Sequence, residues 1–280
     1  MGRVAFAAAL AACVAVCGSA SAADLSFKDT PEFSAPPLRW TGFYIGGHAG
    51  GGFGDTDVDD TFDYNGDPFA SNSVDISGLI GGLQVGYNIQ RGNLVFGIEA
   101  DLGYLDISGS TSADLPNPDP SNHTRDISAK YEMDGGLYGD LTGRIGYATD
   151  RTMLYVKGGV AFLNAEFTSN YVGQNWSTVD PGGCRCQPNP STFGAFGQDE
   201  TLWGWTIGVG VEHALSENWS LKLEYQHFDF GSMSLGYEGS YNFARDLHSS
   251  LEGNADISPT VDAVKVGVNY RFNGGGDTLK

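Results

Sequence analysis

The chain has 280 residues, 41 of them glycine, and 34 acidic against 15 basic side chains give it a net charge of −19. That acidic surplus excludes a nucleic-acid binder, which needs a basic stripe to neutralise phosphates. A hydrophobic content of 41% with 12% aromatic residues is too apolar for a disordered chain, and glycines without a triplet period exclude collagen.

At the N-terminus, Arg3 precedes an apolar run from Val4 to Cys17, and Ala20, Ser21 and Ala22 form a small-x-small cleavage site. This predicts a secretory signal over 1–23, cut after Ala22 or Ala23. The run is short of the ~20 residues that a transmembrane helix needs. Leu10, Ala11, Ala12 and Cys13 look like a lipoprotein processing box, but only six residues separate it from Arg3. Cys13 and Cys17 then leave with the signal, so the mature chain keeps Cys184 and Cys186. Residues 24–39, with Pro31, Pro36 and Pro37, are expected to form an extended periplasmic linker.

From Trp40 onward, apolar residues alternate with polar or small ones, the period of two that marks strands with unlike faces. The runs are 40–54, 77–90, 94–108, 136–149, 153–168, 201–215, 219–230 and 262–272. Each is long enough for the ~9–11 residues of a tilted membrane strand. Gln90, Arg91, Gly92 and Asn93 form one tight turn, Asp150, Arg151 and Thr152 a second, and Ser216, Glu217 and Asn218 a third. The other connections, 55–76, 109–135, 169–200 and 231–261, are long. Strict alternation of short and long connections puts all short turns on one rim. The reading is an all-β, eight-stranded antiparallel up-and-down transmembrane barrel over 40–272, with three short periplasmic turns and four long extracellular loops.

One strand face carries Phe43, Ile45, Leu79, Leu83, Val85, Leu94, Phe96, Ile98, Leu141, Ile145, Leu154, Val156, Val209, Leu221, Val264 and Val266, with no charge among them. The opposite face holds Glu99, Asp101, Asp140, Glu212 and Glu224 together with Arg144, Lys157, Lys222, Lys265 and Arg271. Such rows would ruin a soluble β core, but they suit the polar interior of a barrel that faces lipid outside. An eight-strand lumen is just wide enough for side chains to fill, so matched charges predict a salt-bridged plug. A selective pore lining is the alternative. Tyr87, Tyr147, Trp219, Tyr270 and Phe272 fall toward the short-turn rim, whereas Phe53, Tyr104, Trp203, Trp205 and Tyr225 fall toward the other. Two aromatic belts are the usual interfacial anchors.

Trp40, Thr41, Gly42, Phe43, Tyr44, Ile45, Gly46 and Gly47 resemble the first-strand motif of the alphaproteobacterial outer-membrane surface-antigen family, the opacity-like porins. Near the other end, Lys265, Gly267, Tyr270 and Phe272 are similar to the closing β-signal read by the barrel assembly machinery. Family members usually stop at the last aromatic, whereas an extension over 273–280 follows here. The resemblance implies an outer-membrane location, contact with membrane lipid and lipopolysaccharide, and a role in envelope integrity. It also implies haemin binding, small-solute passage or host surface contacts for some members, with no haem motif to transfer.

No cofactor or metal site is expected. The carboxylates Asp55, Asp57, Asp59, Asp60, Asp63, Asp67 and Asp75 predict a solvated acidic loop with a turn at Asn65 and Gly66. An EF-hand beginning at Asp55 would need Gly at position 60 and Glu at position 66, where Asp60 and Gly66 stand. Cys184 and Cys186 form a candidate local disulfide. His213 and His227 lack the motif neighbours that a lipid-modifying enzyme requires, so no catalytic residue is assigned. His48 is placed in the lumen, with a Tyr or Glu as its partner.

Overall fold

The computed structural model describes residues 38–62, 68–115, 127–176, 188–243 and 247–272. The expected signal, most of the linker, the turn at Asn65, both cysteines of the mature chain and the extension after Phe272 lie outside the described residues.

Ten antiparallel strands follow one another: β1 (Gly42–Phe62), β2 (Pro68–Arg91), β3 (Leu94–Leu115), β4 (Ile127–Asp134), β5 (Leu137–Thr149), β6 (Thr152–Trp176), β7 (Pro188–Ala214), β8 (Trp219–Asp229), β9 (Met233–Phe243) and β10 (Leu247–Phe272). They make eight staves. β4 and β5 both bridge β3 to β6 and are two halves of one stave. β8 and β9 both pair with β10 in the same way. The ring closes where β1 meets β10, from Phe43 opposite Phe272 to Phe62 opposite Gly253.

Glycine interrupts the two divided staves. At Gly135 and Gly136 the ladder to β3 is rescued by Gly135 N donating to Ile107 O (2.8 Å) and by Leu105 N donating to Gly136 O (2.8 Å). At the other break Gly231 takes φ +72°, and its N–H donates to Asp229 Oδ1 (2.9 Å). The three short turns match expectation. In the last of them Ser216 Oγ accepts from the N–H groups of Asn218 (3.4 Å) and Trp219 (3.1 Å).

The long connections differ from the sequence reading. Strands continue through most of 55–76, 109–135, 169–200 and 231–261, so Asp55, Asp57, Asp59, Asp60 and Asp75 stand on β1 and β2 and not in a loop. Strands of 21 to 27 residues are about twice what a membrane crossing takes. Their polarity also inverts along the way. Near the short turns, apolar side chains face out: Leu83 is 72% exposed and Ile98 62%, while Glu99 and Lys222 inside are 1% and 0%. Beyond Tyr104 the faces swap, with Leu105 and Ile107 buried inside and Asp106 exposed outside. β10 swaps near Asp262, between inward Val261 and outward Val264. Lipid demands apolar atoms outside the lower half. Water surrounds the upper half, whose core is therefore inside, built from Val58, Val74, Ile76, Met133, Phe167 and Ile257 among others.

Candidate functional site: the barrel lumen

Side chains fill the lumen in three storeys. The floor, at the short-turn rim, is apolar: Trp40, Val95, Ala148, Met153, Tyr155 and Ala214 pack together, with Leu38 against them. Trp40 precedes β1, yet it is drawn under the barrel because its backbone N–H donates to Gln90 Oε1 on β2 (2.7 Å) and its ring carries the Arg271 guanidinium (4.6 Å). The roof is the lower edge of the apolar core, where Tyr138, Phe228, Phe230 and Leu163 meet. Phe228 and Phe230 stack at 5.5 Å and Tyr138 meets Phe228 edge-on at 5.9 Å.

The charges lie between floor and roof. Register explains their convergence: β3 faces β5, β5 faces β6, and β7 faces β8, so inward positions on successive staves stack at similar heights. Glu99 is one hub. It contacts Lys157 (3.0 Å), Arg144 (3.4 Å) and Lys222 (3.5 Å) and accepts from Tyr44 Oη (2.7 Å). Glu224 is the other, contacting Lys265 (3.0 Å), Lys157 (3.1 Å) and Lys222 (3.5 Å) and accepting from Tyr155 Oη (2.6 Å). Lys157 ties the hubs together and reaches Asp101 as well (3.2 Å). Arg144 extends the network to Glu212 (3.3 Å) and stacks on Tyr44 (4.5 Å).

All ten charged side chains expected inside are buried. Two of them, however, stand outside the ion-pair network. Asp140 accepts from Gln226 Nε2 (3.0 Å), and Arg271 donates through Nη2 to the carbonyl of Glu217 (3.2 Å). The network is thus two carboxylate hubs and their satellites, not five separate pairs.

Neutral polar groups complete it: His48 stands in the lumen with a tyrosine partner, as expected, whereas charge counting missed the amides. His48 Nε2 meets Tyr138 Oη (2.5 Å), and its Nδ1 meets Gln84 Oε1 (2.9 Å) and lies 3.4 Å from Asp101. Gln84 bonds Asn269, whose amide donates to Glu212 (2.9 Å). Gln226 links Lys265, Thr206 and Asp140. These residues share the inward phase of the charged ones, so the period of two already carried the signal. His227, on the outer surface, pairs with Asp262 (2.8 Å), which also accepts from Tyr225 Oη (2.7 Å).

The family model for the outer membrane protein beta-barrel domain matches residues 8–272, which takes in every strand described above. The chain belongs to this outer-membrane β-barrel family. A 31 kDa outer-membrane immunogenic protein of Brucella melitensis is 32% identical over 265 residues, covering 91% of this chain and 94% of the relative. A 22 kDa outer membrane protein of Rhizobium leguminosarum is 27% identical, covering 85% and 80%. Among solved structures, the outer membrane protein OprG of Pseudomonas aeruginosa aligns with a TM-score of 0.41 and 13% identity, over 83% of this chain and 97% of that one. The resemblance to the outer-membrane surface-antigen family is therefore borne out, and the protein is an outer-membrane β-barrel.

Closure of the barrel brings Lys265, Gly267, Tyr270 and Phe272 to the β1–β10 seam. Tyr270 packs edge-on against Phe272 (5.2 Å) and Trp219 (5.1 Å) on the outer face. Gly267 faces in, where an added Cβ would lie 3.0 Å from the Lys222 stem.

Proposed function

We propose that this protein is a structural, surface-exposed envelope barrel whose lumen is closed by its charge network. The observation that carries this reading is the layering: buried ion pairs lie between an apolar floor that includes Trp40 and an apolar roof that includes Phe228. Mobile water and ions need a continuous polar path, and both apolar storeys interrupt one. Removing buried charges from water is costly unless each is paired and hydrogen-bonded. The two hubs meet that demand, because every cation on them touches at least one carboxylate.

The partners are those that the surfaces can recognise. The apolar belt and its aromatic rims contact lipid and lipopolysaccharide, and Lys265, Gly267, Tyr270 and Phe272 present the assembly signal. No residue is assigned a catalytic role: the outward His227–Asp262 pair, with the Tyr225 hydroxyl donating to Asp262, is read as a surface polar cluster. The immunogenic Brucella relative is in keeping with a surface-exposed role.

Proteoliposomes carrying the refolded mature chain test this reading. They should swell in small sugars no faster than protein-free liposomes, and a deletion strain should become more sensitive to detergent. Sugar-size-dependent swelling would instead favour a narrow passive porin.

A further inference from the structure

The ten lumenal charges cancel overall, but they are not evenly paired. Eight of them take part in ion pairs, and Asp140 and Arg271 do not. Arg144 meets both Glu99 (3.4 Å) and Glu212 (3.3 Å). Arg271, stacked on Trp40 at the floor, has no carboxylate within ion-pair distance among the described residues, so its buried charge stands unpaired.

That unpaired charge coincides with donors that lack acceptors. Arg271 Nε and Nη1, Arg144 Nη2 and the Trp40 indole Nε1 are buried without hydrogen-bond partners. Arg271 is 3% exposed and Trp40 1%. Glu212 accepts from Arg144 Nη1 (3.3 Å), Ser220 Oγ (2.5 Å) and Asn269 Nδ2 (2.9 Å), and from none of these four atoms. Three of the donor atoms belong to one stacked pair, the Arg271 guanidinium over the Trp40 ring (4.6 Å). Tyr44 links that pair to Arg144, since it is opposite Arg271 in the β1–β10 register and lies beneath the Arg144 guanidinium.

Buried N–H donors without acceptors are strongly disfavoured, and an uncompensated buried charge more so. Water can accept from the donors but leaves the charge standing. A small anion does both. We propose that the periplasmic floor of the lumen binds one small monovalent anion of the chloride class, held by Arg271 Nε and Nη1 and Trp40 Nε1, with Arg144 supplying field from above. One unpaired guanidinium matches a monovalent ion and not a phosphate-class dianion. Burial selects a small ion that gives up its water readily. Bound there, the anion fastens the residue at the start of β1 to the closing strand β10.

Bromide provides the test in two readouts on the full mature chain. Crystals soaked in bromide should show an anomalous peak within hydrogen-bond distance of Arg271 Nη1 and Trp40 Nε1. In solution, replacing gluconate by chloride at constant ionic strength should raise the urea midpoint of unfolding. Trp40→Phe, which keeps the ring and removes the N–H, should weaken the chloride dependence severalfold, and Arg271→Gln should abolish it. A water at the position, with no anomalous signal, overturns the proposal. So does a bromide peak with a midpoint indifferent to chloride, which would mark an adventitious ion only. Should Arg271→Gln fail to fold, the Trp40→Phe comparison still decides.

Discussion

Glu224→Gln is the substitution that weighs the charge network most cleanly. It keeps side-chain volume while turning one acceptor oxygen into an NH2 donor and deleting one charge that touches three ammonium groups: Lys265 at 3.0 Å, Lys157 at 3.1 Å and Lys222 at 3.5 Å. The three do not suffer equally. Lys157 retains Glu99 and Asp101, and Lys222 retains Glu99. Lys265 is left with the neutral Gln226 as its hydrogen-bond acceptor. It is 0% exposed, so its charge has no water to fall back on. Breaking a buried pair by removing one partner costs about 3–5 kcal/mol, and loss of the hub role puts this variant at the upper part of that range. Reversible urea unfolding of the refolded barrel in lipid vesicles should read the loss as a lower midpoint at unchanged slope. Adding Lys265→Met should return part of the stability, because the stranded charge is then gone, and the double-mutant cycle isolates the coupling. A Glu224→Gln variant within about 0.5 kcal/mol of the parent, the range of an ordinary surface change, would refute the reasoning and mean that water solvates these lysines.

Lys130→Ala removes the exposed pair with Glu132 (2.6 Å), and the same assay should register at most about 1 kcal/mol. At Gly50, an added Cβ would run into the backbone carbonyl of Val264 across the closing seam, so Gly50→Val should prevent the heat-resistant folded form on gels. Normal folding of that variant would contradict the β1–β10 register. Replacing Tyr270 and Phe272 by Ala should slow insertion by the assembly machinery in pulse-chase experiments, whereas truncating 274–280 should not. The opposite outcome would remove these two aromatics from the assembly signal. Cysteines introduced at 65 or 245 should react with an impermeant maleimide on intact cells, and one at Gly92 should react only after lysis. Reaction at Gly92 in sealed cells would reverse the orientation.

Much of this architecture was legible because lipid imposes a simple pattern. Leu94, Phe96 and Ile98 alternate with Val95, Gly97 and Glu99 at a fixed phase, and that phase gave the eight staves and all ten inward charges. The same rule hid the upper barrel. Above Tyr104 the apolar phase passes from the outer face to the inner one, so a reading at constant phase ends the strand and begins a loop. The acidic stretch from Asp55 to Asp60 seemed a solvated loop for this reason, although β1 continues through it with Thr56 and Val58 turned inward. Pairing was the second limit. Which carboxylate meets which lysine depends on register and side-chain reach, so the two hubs and the separate positions of Asp140 and Arg271 needed coordinates. Trp40 illustrates both: its motif was plain, but its role as the floor depends on Gln90, fifty residues away, and on Arg271 at the other end of the barrel.

Single-channel recording tests the central claim most directly. Purified, refolded mature barrel inserted into planar bilayers should raise no steady unitary conductance at neutral pH and moderate voltage, because the charge network and its apolar floor and roof block the lumen. Steady ohmic channels whose ion selectivity changes on Arg144→Ala would contradict the closed lumen and make the inward charges the lining of a pore.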